Sequence, residues 1–425
     1  MRPLEYSVLL LAVLALGVDP GGPSLALAQE EINSTGRAES GPTPSVHLRS
    51  DTDLLWYMLN FQNRQSDKEL GLLYNNAAWG SSSPVVLVGG QARLAAMAAA
   101  TNTEGKFPYL GRFPADFSGN SATDARVVQA NAGLAVHATS RINLFGELLF
   151  SDVFTFPAFD QGSLQARQVY AVFGDLEECP WYAFIGKKNI SFGDMGTLSP
   201  FTQSVVWHYF AGLAEGLGAG YARDGFRAVL MGINGGRGIR VADSDAKGKL
   251  NNLAANLTYE VDPTEATHIQ LGGGFLLGTS YDAEVAEHLE PELVGPYNSA
   301  WDVNALVNVG RFTFAGEYVA TVDDWPATGH EVQAYRVEAG YDVSLGAKPG
   351  RLSVSWSEGI QGDKSEQFHH NRQLVLGLGV ELNRYAMMSL EYVRSTGFAP
   401  LIRITEVSDR NVAQDSAIFG LTLVF

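Results

Sequence analysis

Hydrophobic and polar residues alternate with a period of two through most of the chain from residue 84 onward. The last segment, 413–425, shows the pattern clearly: one face carries Ala417, Phe419, Leu421, Leu423 and Phe425. The opposite face carries Ser416, Gly420 and Thr422, with Ile418 and Val424 as apolar exceptions. This alternation is typical of a β-strand that separates two environments. A strand of this kind also ends many soluble sandwiches, so the assignment depends on how often the pattern recurs.

The pattern recurs in sixteen segments, and no helical pattern of any length lies between them. The predicted strands are 84–101, 124–138, 140–152, 163–175, 180–190, 215–223, 225–234, 250–261, 265–281, 299–309, 311–322, 332–345, 350–360, 372–383, 385–396 and 413–425. Their connectors alternate between short and long without a break. The short ones lie near Ser140, Gly174 to Pro180, Asp224, Asp262 to Thr264, Gly310, Gly346 to Pro349 and Arg384. The long ones are 102–123, 153–162, 191–214, 235–249, 282–298, 323–331, 361–371 and 397–412.

This sorting of connectors predicts an all-β fold, a transmembrane antiparallel β-barrel with short periplasmic turns and long outer loops. Outer-membrane barrels have an even strand count and both termini on the periplasmic side. The first strand, 84–101, is expected to pair with the last, 413–425, because only that pairing closes the barrel.

The two faces of each strand indicate which side meets lipid. In 332–345, for example, Tyr335, Val337 and Tyr341 oppose Arg336 and Glu338. A charge at the bilayer midplane costs roughly 2–4 kcal/mol for Arg or Lys, so the polar faces are expected to line the interior. A barrel of sixteen strands is wide enough for an aqueous channel. The pore-lining candidates are Glu147, Arg311, Glu317, Arg336, Glu338, Arg351 and Glu381. For each, ordinary wall solvation or an ion pair between strands is the alternative to a role in solute recognition.

The chain before residue 84 lacks the alternating pattern. Residues 1–28 have a positive Arg2, a short apolar core and the sequence Ala26-Leu27-Ala28, as in a cleaved secretory signal peptide. Residues 29–83 are expected to form a periplasmic arm or a plug segment. Within them Asp51 or Asp53 is predicted to cap one short helix that runs through Gln65. The barrel itself is predicted to span 84–425.

Composition supports an exported membrane protein. The 425 residues are 46% hydrophobic and only 18% charged, and Cys179 is the single cysteine, so no internal disulfide is available. The formal net charge of −17 argues against a nucleic-acid partner. The expected partners are outer-membrane lipid and a small-molecule solute, with a homo-trimer as a further expectation.

The third long loop, 191–214, is more apolar than a solvent-exposed loop needs to be. One interpretation is that it folds back into the lumen and narrows the channel. The alternative is an outer loop packed on its neighbours. If the loop folds inward, the constriction candidates are Asp194, Pro200, Phe201, His208 and Glu215.

The sequence carries little sign of enzymatic chemistry. The glycines of 232–238 lack the Lys-Ser/Thr that completes a phosphate-binding loop. His369 and His370 are adjacent, and on extended chain adjacent side chains point to opposite faces, which disfavours a shared metal ion. An embedded hydrolase could use His137 and His268 if they face inward, but no serine motif accompanies them. No catalytic residue, metal ligand or cofactor is expected.

The stretch around the third loop resembles a known family. Gly186-Lys187-Lys188, then Phe192-Gly193, then Ser199-Pro200-Phe201-Thr202-Gln203-Ser204 are similar to the signature of the LbtU family of siderophore porins. The resemblance extends from about Val85 to Phe425 and includes Asp152-Val153-Phe154 and the Gln168 to Phe184 region. It does not include the long coiled-coil-like lead of many members.

The resemblance implies a sixteen-stranded outer-membrane barrel that takes part in iron uptake by passing a siderophore. From the residues alone, the expectation is a porin for passive passage of a small polar solute, located in the bacterial outer membrane. A general sugar- or anion-selective porin is the alternative, and a barrel enzyme is a more distant one.

Overall fold

The structure, a computed structural model, describes residues 47–79, 84–106, 118–151, 163–241, 249–281, 297–326, 328–366, 369–399 and 409–425. The predicted signal peptide, 1–28, and Asp152-Val153-Phe154 lie outside these residues. In the described part of the chain, no helix has the length and apolar character needed to cross a membrane.

Sixteen antiparallel strands, β2 to β17, form a closed barrel. A short strand, β1 (His47–Arg49), precedes them. The barrel strands are β2 Val85–Thr101, β3 Ser121–Thr139, β4 Ile142–Ser151, β5 Ser163–Phe173, β6 Trp181–Asn189, β7 Leu213–Arg223, β8 Phe226–Ile239, β9 Leu250–Thr264, β10 Thr267–Leu276, β11 Ala300–Val309, β12 Phe312–Thr321, β13 Gln333–Leu345, β14 Lys348–Ile360, β15 His370–Asn383, β16 Ala386–Ala399 and β17 Asp409–Val424. The predicted fold class and strand count are confirmed.

Each strand pairs with its neighbours in sequence, and β17 closes the barrel against β2, with Leu421 opposite Leu94. β17 reaches β2 only as far as Gly90, where the Phe425 backbone N–H donates to the Gly90 carbonyl at 3.0 Å. The rest of the β2 edge is covered by β1, which pairs in parallel with it from His47 opposite Val85. The seam of the barrel is therefore paired along its length.

The outer surface carries a band of exposed large apolar side chains. Phe314 on β12, Val337 on β13, Leu376 on β15 and Phe419 on β17 are each between 46% and 62% exposed. The side chains between them in sequence, such as Thr313 and Glu338, are buried on the inner face. An apolar exterior with a polar interior is the arrangement of a barrel surrounded by lipid.

Residues 51–79, here called the inner segment, lie inside the barrel. Helix α1 (Thr52–Leu59) begins at Asp51, whose side chain accepts the Leu54 backbone N–H at 2.9 Å. A second helix, α2 (Glu69–Trp79), follows. The prediction of one helix through Gln65 was therefore partly wrong. Its cap is correct, but the helix ends at Leu59, and α2 has a weakly amphipathic sequence that gave no signal.

Both helices pack on an apolar patch of the inner wall near the periplasmic end. Gly89 on β2 and Gly133 on β3 make room for Leu55 of α1, because a Cβ at either position would lie 2.7 or 3.1 Å from it. The patch continues through Phe145 on β4 and Val172 on β5. Strands β2 to β6 are thus apolar on both faces at this level, and the inner segment covers the inward face.

Candidate functional site

The polar side chains of the inner wall are buried at mid-height. Glu147, Glu317, Arg336, Glu338 and Glu391 are each at most 4% exposed. Side chains that lined an open aqueous channel would be hydrated and exposed. At this level the lumen is therefore filled by protein, and two pieces of chain fill it: the inner segment and residues 190–212 between β6 and β7, here called the lumen loop.

Three wall glutamates hold the lumen loop by its backbone. Glu317 on β12 accepts the N–H groups of Asp194 at 2.7 Å and Met195 at 3.1 Å. Glu338 on β13 accepts from the Leu198 N–H at 3.0 Å and the Thr197 hydroxyl at 2.5 Å.

Farther round the wall, Glu391 on β16 accepts from the N–H groups of Phe201 at 2.8 Å and Thr202 at 3.2 Å. Each carboxylate takes up backbone donors that the irregular loop would otherwise bury unpaired. Together they carry the loop along the inner wall from β12 to β16.

Arg336 on β13 is the centre of the charged part of this arrangement. Its guanidinium pairs with Glu317 at 2.9 Å, with Glu338 at 2.5 Å and with Asp194 of the loop at 3.3 Å. One buried cation thus faces three carboxylates, two of which also hold loop backbone. The predicted residues Asp194, Glu317, Arg336 and Glu338 meet at this place.

Phe201 anchors the far end of the loop. The guanidinium of Arg93 on β2 lies 4.3 Å from the Phe201 ring centre and donates to the Phe201 carbonyl at 3.0 Å. The ring packs in a small apolar cluster with Val393 on β16 and Ile418 on β17. Ile418, an apolar exception in the sequence pattern, therefore faces inward to receive Phe201. Pro200 lies against Gly377 on β15, where a Cβ would come within 2.6 Å of the proline ring.

The loop ends in a short helix, α3 (Val205–Phe210), capped by Ser204. The Tyr209 hydroxyl donates to Asn371 on β15 at 2.8 Å, and the Val205 N–H donates to Ser357 on β14 at 3.1 Å. His208 lies on this helix beside Trp207. Burial and the positive charge of Arg240 lower the pKa of His208 to about 3, so its ring is neutral at physiological pH.

The inner segment crosses the lumen through its tip, residues 60–68, between α1 and α2. Arg64 donates to Thr258 at 2.7 Å and Asn256 at 2.9 Å on β9, and to Asn304 on β11 at 3.2 Å. It also lies 3.5 Å from the Asp194 carboxylate. Burial opposes the charge on Arg64, but neighbouring carboxylates, Asp67 first, raise its pKa overall.

Charged pairs fix the base of the tip. Asp67 lies 3.2 Å from Arg227 on β8, and Glu69 lies 3.0 Å from Lys188 on β6. The Lys68 amino group donates to the carbonyls of Met58 at 3.0 Å and Asn60 at 2.6 Å, close to the carboxyl end of α1. Apart from Phe61, whose ring centre lies 4.2 Å from the Arg167 guanidinium, the tip is held mainly by hydrogen bonds and ion pairs, whereas the helices behind it pack by apolar side chains.

The tip and the lumen loop contact each other directly. The Gln65 N–H donates to the Asp194 carbonyl at 2.9 Å, and the Thr197 N–H donates to the Gln62 carbonyl at 2.8 Å. The Gln62 side chain donates to the Phe201 carbonyl at 2.8 Å. The two pieces of chain form one layer across the lumen.

The remaining predicted wall residues lie away from this layer or beneath the inner segment. Glu147 on β4 pairs with Arg167 on β5 at 2.9 Å. Arg311 is exposed in the turn before β12, and Glu381 is exposed near the periplasmic end of β15. Arg351 on β14 pairs with Asp342 at 2.7 Å and is 40% exposed.

The placement of Glu215 at the constriction was wrong. Glu215 on β7 is directly opposite Lys187 on β6, and it shares the outer face with Ile185 and Leu217, both exposed apolar residues. The predicted loop extended to residue 214, whereas β7 begins at Leu213. Glu215 is therefore a strand residue, and its side chain lies on the outer face.

Several residues of the layer were not identified from the sequence. Arg64 lies before the barrel, where no pattern indicates which wall residues it meets. Glu391 alternates with apolar residues in its strand and was identifiable by the same rule as Glu338. Asp302 was identifiable in the same way, but Arg167 was not, because Gln168 follows it and a register irregularity in β5 buries both side chains.

Within the described residues, no group of three or more potential ligands is placed to hold a metal ion. His369 and His370 have ring centres 4.8 Å apart, and Cys179 is exposed. Of the two histidines weighed for an enzyme, His137 is bonded to Asn143 at 2.6 Å and Asn75 at 2.8 Å. His268 is bonded to Asp262 at 2.8 Å near the periplasmic turn.

No protein-family model matches the chain, and no curated protein matches it. Solved structures do. The chain is similar to the anion-selective porin from Comamonas acidovorans, with 12% identity, a TM-score of 0.54 and coverage of 81% of this chain and 100% of that one. The outer membrane channel DcaP of Acinetobacter baumannii gives 12% identity, a TM-score of 0.54 and coverage of 81% and 99%. OprB of Pseudomonas putida gives 10% identity, a TM-score of 0.52 and coverage of 86% and 100%.

At these identities the likeness is one of fold. The protein has the closed sixteen-strand architecture of the outer-membrane porins. With its apolar outer band, this architecture locates it in the bacterial outer membrane.

Proposed function

We propose that the protein is a solute channel of the porin class, closed in this conformation by the tip of the inner segment and the lumen loop. The burial of the polar wall carries the proposal. Glu317, Arg336 and Glu338 are at most 4% exposed although they belong to the inner face of a barrel that is wide enough for a channel. Passage then requires part of the layer to move.

The inner segment is the part best suited to move. Its helices are anchored to β2–β6 by apolar side chains such as Leu55 and Leu59. Its tip is held by hydrogen bonds and ion pairs, of which Arg64 to Asn304 is one. Water or a polar solute can replace such contacts, whereas exposing the apolar face has no comparable compensation. We therefore expect the helices to stay docked while the tip shifts.

Two versions of this function differ in the solute that the channel carries. A siderophore is supported by the sequence resemblance around 186–204, whose residues are those that shape the lumen loop. Gly193, for example, has a positive φ of 67°, and a Cβ there would approach the Glu317 carboxylate to 2.8 Å. A general porin for sugars or anions is supported by the fold likeness alone. A non-enzymatic role and a homo-trimer stay predictions.

Solute uptake into proteoliposomes separates the two versions. A variant in which residues 60–68 are replaced by a Gly-Ser linker of equal length removes the side chains of the tip and keeps the apolar contacts of the helices with the wall. The siderophore version predicts that a ferric siderophore enters faster than sugars of similar size. Entry of sugars with exclusion of the siderophore favours the general porin, and entry of neither rejects the channel proposal.

A further inference from the structure

The guanidinium of Arg64 occupies a seat built by the wall and the lumen loop. Asn256 and Thr258 on β9 and Asn304 on β11 each present a side-chain oxygen to it, at 2.9, 2.7 and 3.2 Å. The Asp194 carboxylate lies at 3.5 Å. Gln270 on β10 accepts at 3.2 Å in the amide orientation that satisfies its neighbours. The four wall residues are at most 8% exposed, so the seat is enclosed.

The seat matches a planar nitrogen cation in both shape and charge. The groups facing Arg64 from the wall are acceptors distributed around its N–H fork, as a guanidinium requires. Asp302 orients one of them, because its carboxylate accepts the Asn304 amide N–H at 2.7 Å. The other carboxylate oxygen of Asp302 is buried without a hydrogen bond among the described residues. This part of the wall therefore offers an acceptor oxygen that the hydrogen bond to Asn304 does not use.

Moving the tip would empty the seat. Asp194 would keep Arg336 at 3.3 Å, but the cation facing Asn256, Thr258 and Asn304 would be gone. Water would then reach these oxygens, but acceptors arranged around a guanidinium favour a planar cation with several N–H donors over separate water molecules. An opened channel thus exposes a site that favours a replacement cation with N–H donors.

We infer that this seat is a solute-binding site for a guanidinium or amidinium group, and that Arg64 occupies it as an internal substitute. A solute carrying such a group takes over the oxygens that hold Arg64 and releases the tip. Because similar contacts are exchanged, the displacement needs little net free energy beyond the solute's differential affinity. The inference rests on the proposed channel function for its consequence, but the site itself can be tested without transport.

The first test measures binding to the purified full chain in detergent by calorimetry. Arg64→Ala empties the seat, and methylguanidinium is the probe. Methylurea is its neutral counterpart, and tetramethylammonium is a cation without N–H donors. Arg141→Ala, which removes an exposed arginine that pairs with Glu178 in a periplasmic turn, is the matched control.

We expect methylguanidinium to bind Arg64→Ala at least about tenfold more tightly than it binds the wild type, as expected for charge-assisted hydrogen bonds. Neither counterpart should bind comparably, and Arg141→Ala should behave as the wild type. Adding Asn304→Leu to Arg64→Ala should abolish the gain. Equal binding of methylguanidinium and methylurea, or no difference between Arg64→Ala and wild type, would overturn the inference.

The second test uses the wild-type chain, so it does not depend on the folding of a variant. In planar bilayers, methylguanidinium should raise the frequency of channel openings and methylurea should not. If the variant lacking the tip conducts but methylguanidinium neither opens the wild type nor binds Arg64→Ala, the site inference fails and the channel survives. If the tip-less variant does not conduct, the channel proposal fails, whatever the binding result.

Discussion

The Glu317 carboxylate accepts a hydrogen bond of 2.7 Å from the backbone N–H of Asp194, which ties the lumen loop to strand β12. The same carboxylate pairs with Arg336 at 2.9 Å. Glu317 therefore positions both the lumen loop and Arg336, the cation that neutralises the Glu317 carboxylate.

Replacing Glu317 by Ala is expected to release the start of the lumen loop. The N–H groups of Asp194 and Met195 lose their acceptor, and each unpaired buried donor costs about 1–3 kcal/mol. Protease added outside proteoliposomes should then cleave within residues 191–204 faster than in the wild type. The control is Glu381→Ala, an exposed glutamate at the end of β15. Equal cleavage rates in both variants would show that Glu317 does not hold the loop.

Arg336 and Arg351 are expected to differ sharply in their effect on stability. Arg336 is 2% exposed and faces three carboxylates, so Arg336→Ala leaves buried charge uncompensated and costs about 3–5 kcal/mol. Arg351 forms a half-exposed pair with Asp342, and Arg351→Ala should cost less than about 1 kcal/mol. The free energy of unfolding by urea in phospholipid vesicles measures both. Similar losses for the two variants would contradict the difference in burial.

Docking of the tip is expected to weaken on acidification toward neutral pH. Burial, and then the positive charge of Arg167, lower the pKa of Lys68 from 10.5 to about 7. Between about 7 and about 10.4 the docked lysine is neutral while a released lysine is protonated, so rising pH favours docking over this window. Below about pH 7, the pKa of the docked lysine, Lys68 is protonated in both the docked and the released state. Docking then no longer changes with pH through Lys68.

Spin-label mobility at the tip can report this pH dependence directly. A spin label at Asn63→Cys, in a Cys179→Ser background, should become more mobile as the pH falls from about 10 to about 7. The equilibrium constant for docking of the tip should change by at most about tenfold per pH unit. Lys68→Met should remove the trend. Mobility that changes with pH equally in the Lys68→Met protein would assign the effect to another group.

The barrel was predictable from the sequence because its signal is local and repeated. A lipid-facing side chain such as Phe314 must be apolar, whereas the adjacent, inward-facing Thr313 can be polar. The alternation within each strand therefore indicates which of its faces meets lipid. The sorted connectors then gave the strand count and the closure by β17. The cap of α1 at Asp51 was equally local.

The layer that fills the lumen was harder to predict because its contacts are distant in sequence. Arg64 meets Asn304 across 240 positions of chain, and no periodicity links them. The loop was recognised by its apolar composition, yet the acceptors of its backbone N–H groups belong to strands whose inward residues looked like ordinary lumen lining. Glu215 was misplaced because it was grouped with the lumen loop, although it lies on β7, where strand alternation places it on the same face as Leu217.

Single-channel recording in planar bilayers tests the central claim most directly, namely that the tip closes a channel-sized barrel. The wild type is compared with the variant carrying a Gly-Ser linker in place of residues 60–68, and with a control whose exposed turn residues 177–179 are replaced in the same way. Stepwise currents of clearly larger conductance or frequency are expected in the tip variant, and wild-type behaviour is expected in the control. A tip variant with no currents, or with currents identical to those of the wild type, would contradict the claim.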